Sequence, residues 1–236
     1  MTPKEINHKM SLMPYRKTVF TNDETYHLLN RGINYFPIFT SPKEYQRFVD
    51  LLNYYRFEKP QFSFSYFSRL AKEDKGKFLA SLENSKKLVE IYAYCLMPSH
   101  FHLLIKQLQI NGIRIMLSNL ENAYVRYFNL KHERLGPLFE SMFKAVRIED
   151  DEQLLHVSRY IHLNPSTSYE VEINKLPKYP WSSLPQYLSG YSSSFINMDL
   201  ILGLIGNARK YQDFVFDQAQ YQRELHKIKH LLFEAK

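Results

Sequence analysis

Residues 88–106 constrain the fold more than any other part of the chain. LVEIYAYCLM (88–97) alternates Val89, Ile91, Ala93 and Cys95 against Glu90, Tyr92, Tyr94 and Leu96, the period of two that predicts a half-buried strand. Pro98 and Ser99 turn the chain, and HFHLLIK (100–106) returns with Phe101, Leu103 and Ile105 on one face. His100, His102, Leu104 and Lys106 take the other, so the two imidazoles point the same way.

Around this hairpin the remaining segments alternate in type. TYHLLNR (25–31) reads as a strand ended by Gly32, with Tyr26, Leu28 and Asn30 opposite His27, Leu29 and Arg31. Ser41 caps a helix to about residue 55, with Pro42 in its first turn and Tyr45, Phe48, Val49, Leu51 and Leu52 as its apolar stripe. Residues 57–87 form an insertion: an aromatic-rich piece with Phe62, Phe64 and Phe67, then a short charged helix over 71–82. A second long helix, 113–131, carries Met116, Leu117, Leu120, Tyr124, Tyr127 and Phe128 in its stripe. Residues 143–148 make another strand. Asp150 with Gln153 starts a third helix that ends at Asn164, because Pro165 follows. After Trp181 come a connecting segment and two helices, 198–206 and 208–232. This order predicts an α+β sandwich, an antiparallel sheet covered by helices. The divisions are an N-terminal segment (1–22), a catalytic domain (23–187) containing the insertion, and a C-terminal helical extension (188–236).

Charge and composition limit the partners. At 236 residues the chain can bury an independent core, and its single cysteine, Cys95, forms no intramolecular disulfide and suits a reducing cytosol. No apolar run approaches the roughly 20 residues needed to span a bilayer, and the basic N-terminus lacks the core of a secretory signal, so the expectation is a soluble, cytoplasmic protein without membrane partners. A formal charge of +7 favours polyanions. The 18 tyrosines and 17 phenylalanines, interleaved with basic residues, suit unpaired bases better than duplex grooves, although most rings belong to the core.

Two features can carry chemistry. On a strand, His100 and His102 share a face and can bind one cation while Phe101 anchors the strand, although an H-x-H triplet alone is common. Tyr160 lies at the edge of the third helix's stripe, with His156 and Asn164 four residues to either side, about 5–6 Å away between Cβ atoms. A tyrosine attacking phosphorus conserves the bond as a phosphotyrosine ester, but its free pKa near 10 demands help, which a divalent cation beside the phosphate supplies. Tyr124 and Tyr127 are rivals that fit a buried stripe better. Arg31, Lys106, Arg114, Arg126, Arg147 and Arg159 are candidate phosphate contacts, with solvated surface charge as the default for each.

Several blocks in order carry a family resemblance. YAYCLMPSHFHLLI (92–105) resembles the metal-binding hairpin of the IS200-like (HUH, Y1) tyrosine transposases, including the REP-associated group, whose hallmark is histidine, bulky hydrophobe, histidine. TYHLLNRG (25–32), IFTSPKEYQRFVDLL (38–52), YVRYFN (124–129), YIHLNP (160–165) and WSS (181–183) resemble the family's other blocks. Two positions depart from the pattern: Ser99 stands where relatives often carry Asn, and LFESMFK (138–144) replaces a more basic block containing tryptophan. The resemblance implies a ferredoxin-like or RRM-like fold, usually a homodimer, with Tyr160 as nucleophile and His100, His102 and Asn164 around Mg2+ or Mn2+. It also implies single-stranded DNA folded into a hairpin as substrate. The expected activity is a single-stranded DNA endonuclease and strand transferase with a 5′-phosphotyrosine intermediate. Two alternatives stand beside it: a non-catalytic single-strand binder on an RRM-like sheet, and a metal-dependent phosphodiesterase that activates water.

Overall fold

A computed structural model describes residues 18–58, 60, 62–190 and 195–217. The expectations for residues 1–17 and for the last part of the 208–232 helix lie outside them. Four strands, β1 (Thr25–Arg31), β2 (Val89–Met97), β3 (His100–Gln107) and β4 (Lys144–Arg147), form one antiparallel sheet in the order β2-β3-β1-β4. Helix α1 (Pro42–Tyr55) follows β1, and α2 (Phe64–Arg69) and α3 (Lys72–Leu82) lie between it and β2. Helix α4 (Gly112–Lys131) joins β3 to β4, and α5 (Asp151–Thr167) follows β4. Three shorter helices end the described chain: α6 (Leu184–Ser189), α7 (Asp199–Ile205) and α8 (Ala208–Asp217). Without the α2–α3 insertion, the β1-α1-β2-β3-α4-β4 order and the central β3–β1 pair are the ferredoxin-like arrangement.

Each long helix forms where its ends are signalled. At α1 the Glu44 carboxylate reaches back to the amide groups of Thr40 and Ser41, at 2.5 and 3.2 Å, closing a capping turn behind Pro42. At α5 the Asp150 carboxylate accepts from the Gln153 amide at 2.7 Å, and the Gln153 side chain accepts from that of Glu149 at 2.6 Å. Helices α1 and α4 cover the sheet face that carries Tyr26, Leu28, Phe101 and Leu103, where the Phe48 ring lies 4.9 Å from Phe101 and 5.2 Å from Tyr124. Helix α5 covers the opposite face, the one that carries His100 and His102.

Four expectations change. The alternation in β2 is broken at Tyr92, where a bulge pairs Ile91 with Ile105 but Ala93 with Leu104, so Ile91 and Ala93 face opposite ways. The strand is also almost wholly buried rather than half-buried, because residues 181–183 run along its free edge, with Leu96 N–H donating to the Trp181 carbonyl at 2.8 Å. Helix α5 does not stop before Pro165 but continues to Thr167. Residues 161–167 are all buried, and that packing outweighs the one amide hydrogen bond proline cannot make. Residues 184–189, read as connection, are a helix with Pro185 in its first turn and Gly190 at φ 67° closing it, too short to show a period in the sequence.

Candidate active site

β1 and β3 pair with Arg31 opposite His100, Leu29 opposite His102 and His27 opposite Leu104. Because antiparallel partners share a face, this register puts His27, Leu29 and Arg31 on the same side as the H-x-H pair. A third imidazole therefore joins the two expected ones. His27 Nε2 and His102 Nδ1 are 2.9 Å apart and their rings stack at 5.1 Å, while the His100 and His102 rings meet edge-on at 5.1 Å. Burial lowers the basicity of all three, His27 to about 4, so each ring is neutral at pH 7 with one nitrogen unprotonated.

The structure brings Tyr160 to this cluster within one chain. Helix α5 lays the phenol ring edge-on to His102 and His27, with centroids 5.5 and 5.9 Å apart, and leaves Tyr160 42% exposed, open to a substrate. One turn on, Asn164 Oδ1 lies 3.4 Å from His100 Nε2, and the opposite ring nitrogen, Nδ1, lies 3.2 Å from Ser99 Oγ. Burial raises the Tyr160 pKa and a hydrogen bond with Asn164 works against that rise, so the phenol is protonated at neutral pH. His156, expected beside Tyr160, instead meets the Arg159 guanidinium at 2.6 Å and the Phe214 ring.

The donors suit a divalent cation. Once Ser99 accepts the His100 Nδ1 proton, His100 Nε2 and Asn164 Oδ1 present two lone pairs at 3.4 Å, an arrangement that favours a shared positive charge. His102 has Nδ1 committed to His27, which leaves Nε2 for a ligand. Among the described residues no group of three or more His, Cys, Asp and Glu side chains is arranged to hold a metal, so any cation here takes imidazoles and an amide from the protein and its other ligands from solvent or substrate.

The rival tyrosines lie elsewhere. Tyr124 is fully buried under the other face of the sheet, its hydroxyl donating to the Ile38 carbonyl at 2.5 Å, and Tyr127 lies beneath the Arg47 guanidinium on the same helix. Of the six basic candidates, Arg31 and Lys106 share the histidine face, and Arg31 is bound to Glu140 at 2.6 Å. Arg114 and Arg126 are exposed on α4, across the sheet from Tyr160. Arg147 lies opposite Tyr26 on the other face and makes a two-pronged pair with Glu24. Arg159 is 5% exposed and lies flat on the Phe214 ring at 4.2 Å, packed inside the molecule rather than presented to a phosphate. No helix among the described residues is long and apolar enough to cross a membrane.

Comparison with known proteins bears on the sequence and the fold. The family model for IS200-like transposases matches residues 60–164, a span that holds both paired histidines, Tyr160 and Asn164. Among solved structures, a REP-associated tyrosine transposase bound to a REP hairpin superposes with a TM-score of 0.53 at 13% identity, covering 80% of this chain and 93% of that one. A protein from Deinococcus radiodurans R1 provisionally named a transposase covers 64% of this chain and 95% of its own at 15% identity, with a TM-score of 0.34, too loose to bear on the argument. No curated protein matches the chain. The sequence of residues 60–164 is thus similar to that of the IS200-like transposases, and the fold over most of the chain is similar to that of a REP-associated tyrosine transposase.

Proposed function

We propose that the protein is a single-stranded DNA endonuclease and strand transferase that cuts beside a DNA hairpin and holds the new 5′ phosphate on Tyr160. One observation carries this reading: a half-exposed phenol edge-on to paired imidazoles, one helical turn from an amide oxygen that faces the third. In the reaction the Tyr160 oxygen bonds to phosphorus, the phenol gives up its proton, and the bond to the 3′ oxygen breaks, that oxygen leaving protonated as a free 3′ hydroxyl. Attack by another 3′ hydroxyl reverses these changes, rejoins DNA and frees the tyrosine. His100, His102 and Asn164 would hold Mg2+ or Mn2+, which when bound neutralises charge developing on the phosphate. His27 orients His102, and Ser99 Oγ can accept from His100 Nδ1, which would leave His100 Nε2 for the cation.

A hairpin substrate is supported by the solved relative of the same fold, which is bound to a REP hairpin. Since one chain supplies the tyrosine, the imidazoles and the amide, we also propose that each active site is complete without a second copy. The test incubates the protein with labelled, hairpin-bearing single strands and Mg2+ or Mn2+, and looks for a labelled band that survives denaturation. Tyr160→Phe should lose the band. Persistence of the adduct in that variant, or free ends without any adduct, would refute the assignment, the second outcome pointing to water as nucleophile. Mixing Tyr160→Phe with His102→Ala should not restore the band; restoration would mean that the active site is shared between copies.

A further inference from the structure

Next to His100 the chain builds a surface that the reaction as described does not use. After β1, Gly32 starts a tight reversal in which Asn34 and Tyr35 both take the left-handed backbone conformation, at φ 54° and 59°. Two successive non-glycine residues in that region are uncommon, and the second is a bulky aromatic residue, which rarely adopts it. The turn is closely built. A Cβ on Gly32 would come within 2.1 Å of the Phe36 carbonyl oxygen, so only glycine fits there. It is also tied to the histidine hairpin: Gly32 N–H donates to the Ser99 carbonyl at 2.8 Å, and Ile38 and Phe39 N–H both donate to that of Pro98 at 2.7 and 3.0 Å.

This strained turn presents Tyr35 at the surface, 67% exposed, rather than burying it. Beneath the ring, 4.4 Å from its centroid, is the guanidinium of Arg31, the residue paired with His100 across the β1–β3 ladder. The guanidinium is also held by Glu140, whose carboxylate accepts from Arg31 Nε at 2.6 Å. A ring backed by a held cation, with its outer side in water and its anchor on the turn of the catalytic hairpin, is a preformed surface for a flat, electron-rich partner.

We infer that Tyr35, backed by Arg31, is a stacking platform for an unpaired DNA base in the strand that runs to Tyr160. The inference rests on the reading of the site as a single-strand nuclease and adds where the strand is gripped. Unpaired bases suit the platform because the ring offers a π-face without base-edge hydrogen bonds, and the Arg31 guanidinium lies where an adjacent phosphate can share it with Glu140. Tyr35 would act on binding and strand position, not on the bond that breaks.

The experiment uses the full chain without divalent metal and a DNA hairpin with unpaired thymidine flanks, in which 2-aminopurine replaces one flank base at a time. Stacking should quench its fluorescence at one flank position in the unsubstituted protein and in Tyr35→Phe and Tyr35→Trp, but not in Tyr35→Ala. Affinity of Tyr35→Ala should fall on the order of tenfold, as loss of a single base–aromatic stack predicts. An abasic nucleotide at the quenched position should weaken the unsubstituted protein equally and Tyr35→Ala no further, a non-additivity that general loss of fold would not produce. Unchanged quenching and affinity in Tyr35→Ala overturn the platform. A parallel assay with Mg2+ or Mn2+ separates the two readings: quenching by Tyr160→Phe without an adduct supports both, whereas an adduct with Tyr35→Ala and full affinity removes the platform alone. No binding of the hairpin by any form would remove both.

Discussion

Tyr160 and Tyr124 are both helical tyrosines near the hairpin, and their surroundings give them opposite roles. Tyr160 is open to solvent against two neutral imidazoles, whereas Tyr124 is sealed under the other sheet face with its hydroxyl spent on a carbonyl. Tyr124→Phe should therefore keep the covalent adduct while costing about 1–2 kcal/mol of stability, the price of leaving the Ile38 carbonyl without its donor; denaturant titration beside the adduct assay checks both. His27 makes a separate prediction, since its only described ring-nitrogen bond goes to His102. His27→Gln, whose amide can still reach that nitrogen, should bind Mn2+ close to the unsubstituted protein. His27→Phe should bind it about tenfold or more weakly, in the range typical of lost support for a ligand. Equal Mn2+ affinity for the two variants, measured by titration without DNA, would show that His27 does not orient His102.

At the scale of elements, α5 carries Tyr160, the proposed nucleophile, on one side and a locking network on the other. His162, two residues beyond Tyr160, is fully buried, with Nδ1 on the Tyr211 hydroxyl of α8 at 2.7 Å and Nε2 on Ser183 Oγ at 2.7 Å. Tyr211 also reaches Ser158 Oγ at 3.0 Å, and Ser183 Oγ accepts from the Tyr94 amide of β2 at 3.0 Å. One polar chain thus crosses α8, α5, the covering segment and the sheet, holding the tyrosine helix at a fixed rotation over the histidines. Each member is buried and partnered, so removing one leaves another exposed to an apolar interior. Tyr211→Phe should lower the unfolding free energy by about 1–3 kcal/mol and slow adduct formation, though Tyr211 touches no substrate. If stability falls and the rate does not, the network holds α5 in place without setting the angle of Tyr160.

Across the whole molecule, buried ionisable groups make the fold acid-sensitive. Burial holds His162 at about 3, so the unfolded chain takes up a proton near 6.5 that the folded one refuses. Stability from this group is full above pH 6.5 and is lost as pH falls toward 3. Glu44 acts lower: burial pushes its carboxyl up, but hydrogen bonds from Lys131, the Thr40 amide and His132 overcome that and bring it to about 2. Its contribution is complete above 4.5 and fades toward 2. Each shift corresponds to at most about 3–5 kcal/mol, so melting temperature should fall continuously from pH 6.5 downward, and His162→Gln should flatten the upper part of that fall. A melting temperature constant from pH 7 to pH 4 would contradict the burial of His162.

The sequence alone determined whatever depends on local spacing. A period of two placed His100 and His102 on one face, capping signals placed the starts of α1 and α5, and a stripe with one tyrosine at its margin made Tyr160 a candidate that the family resemblance raised above its rivals. Tertiary structure decided what depends on which strands meet. His27 was visible as a residue facing away from Tyr26 and Leu28, but its bond to His102 exists only because β1 lies antiparallel to β3 in one register. The bulge at Tyr92, the continuation of α5 through Pro165 and the burial of Arg159 under Phe214 likewise follow from packing between segments distant in the chain. Local periodicity sees a few neighbours along the backbone, whereas a site of this kind is set by side chains 60 and more residues apart, His100 meeting Asn164 and His27 meeting His102.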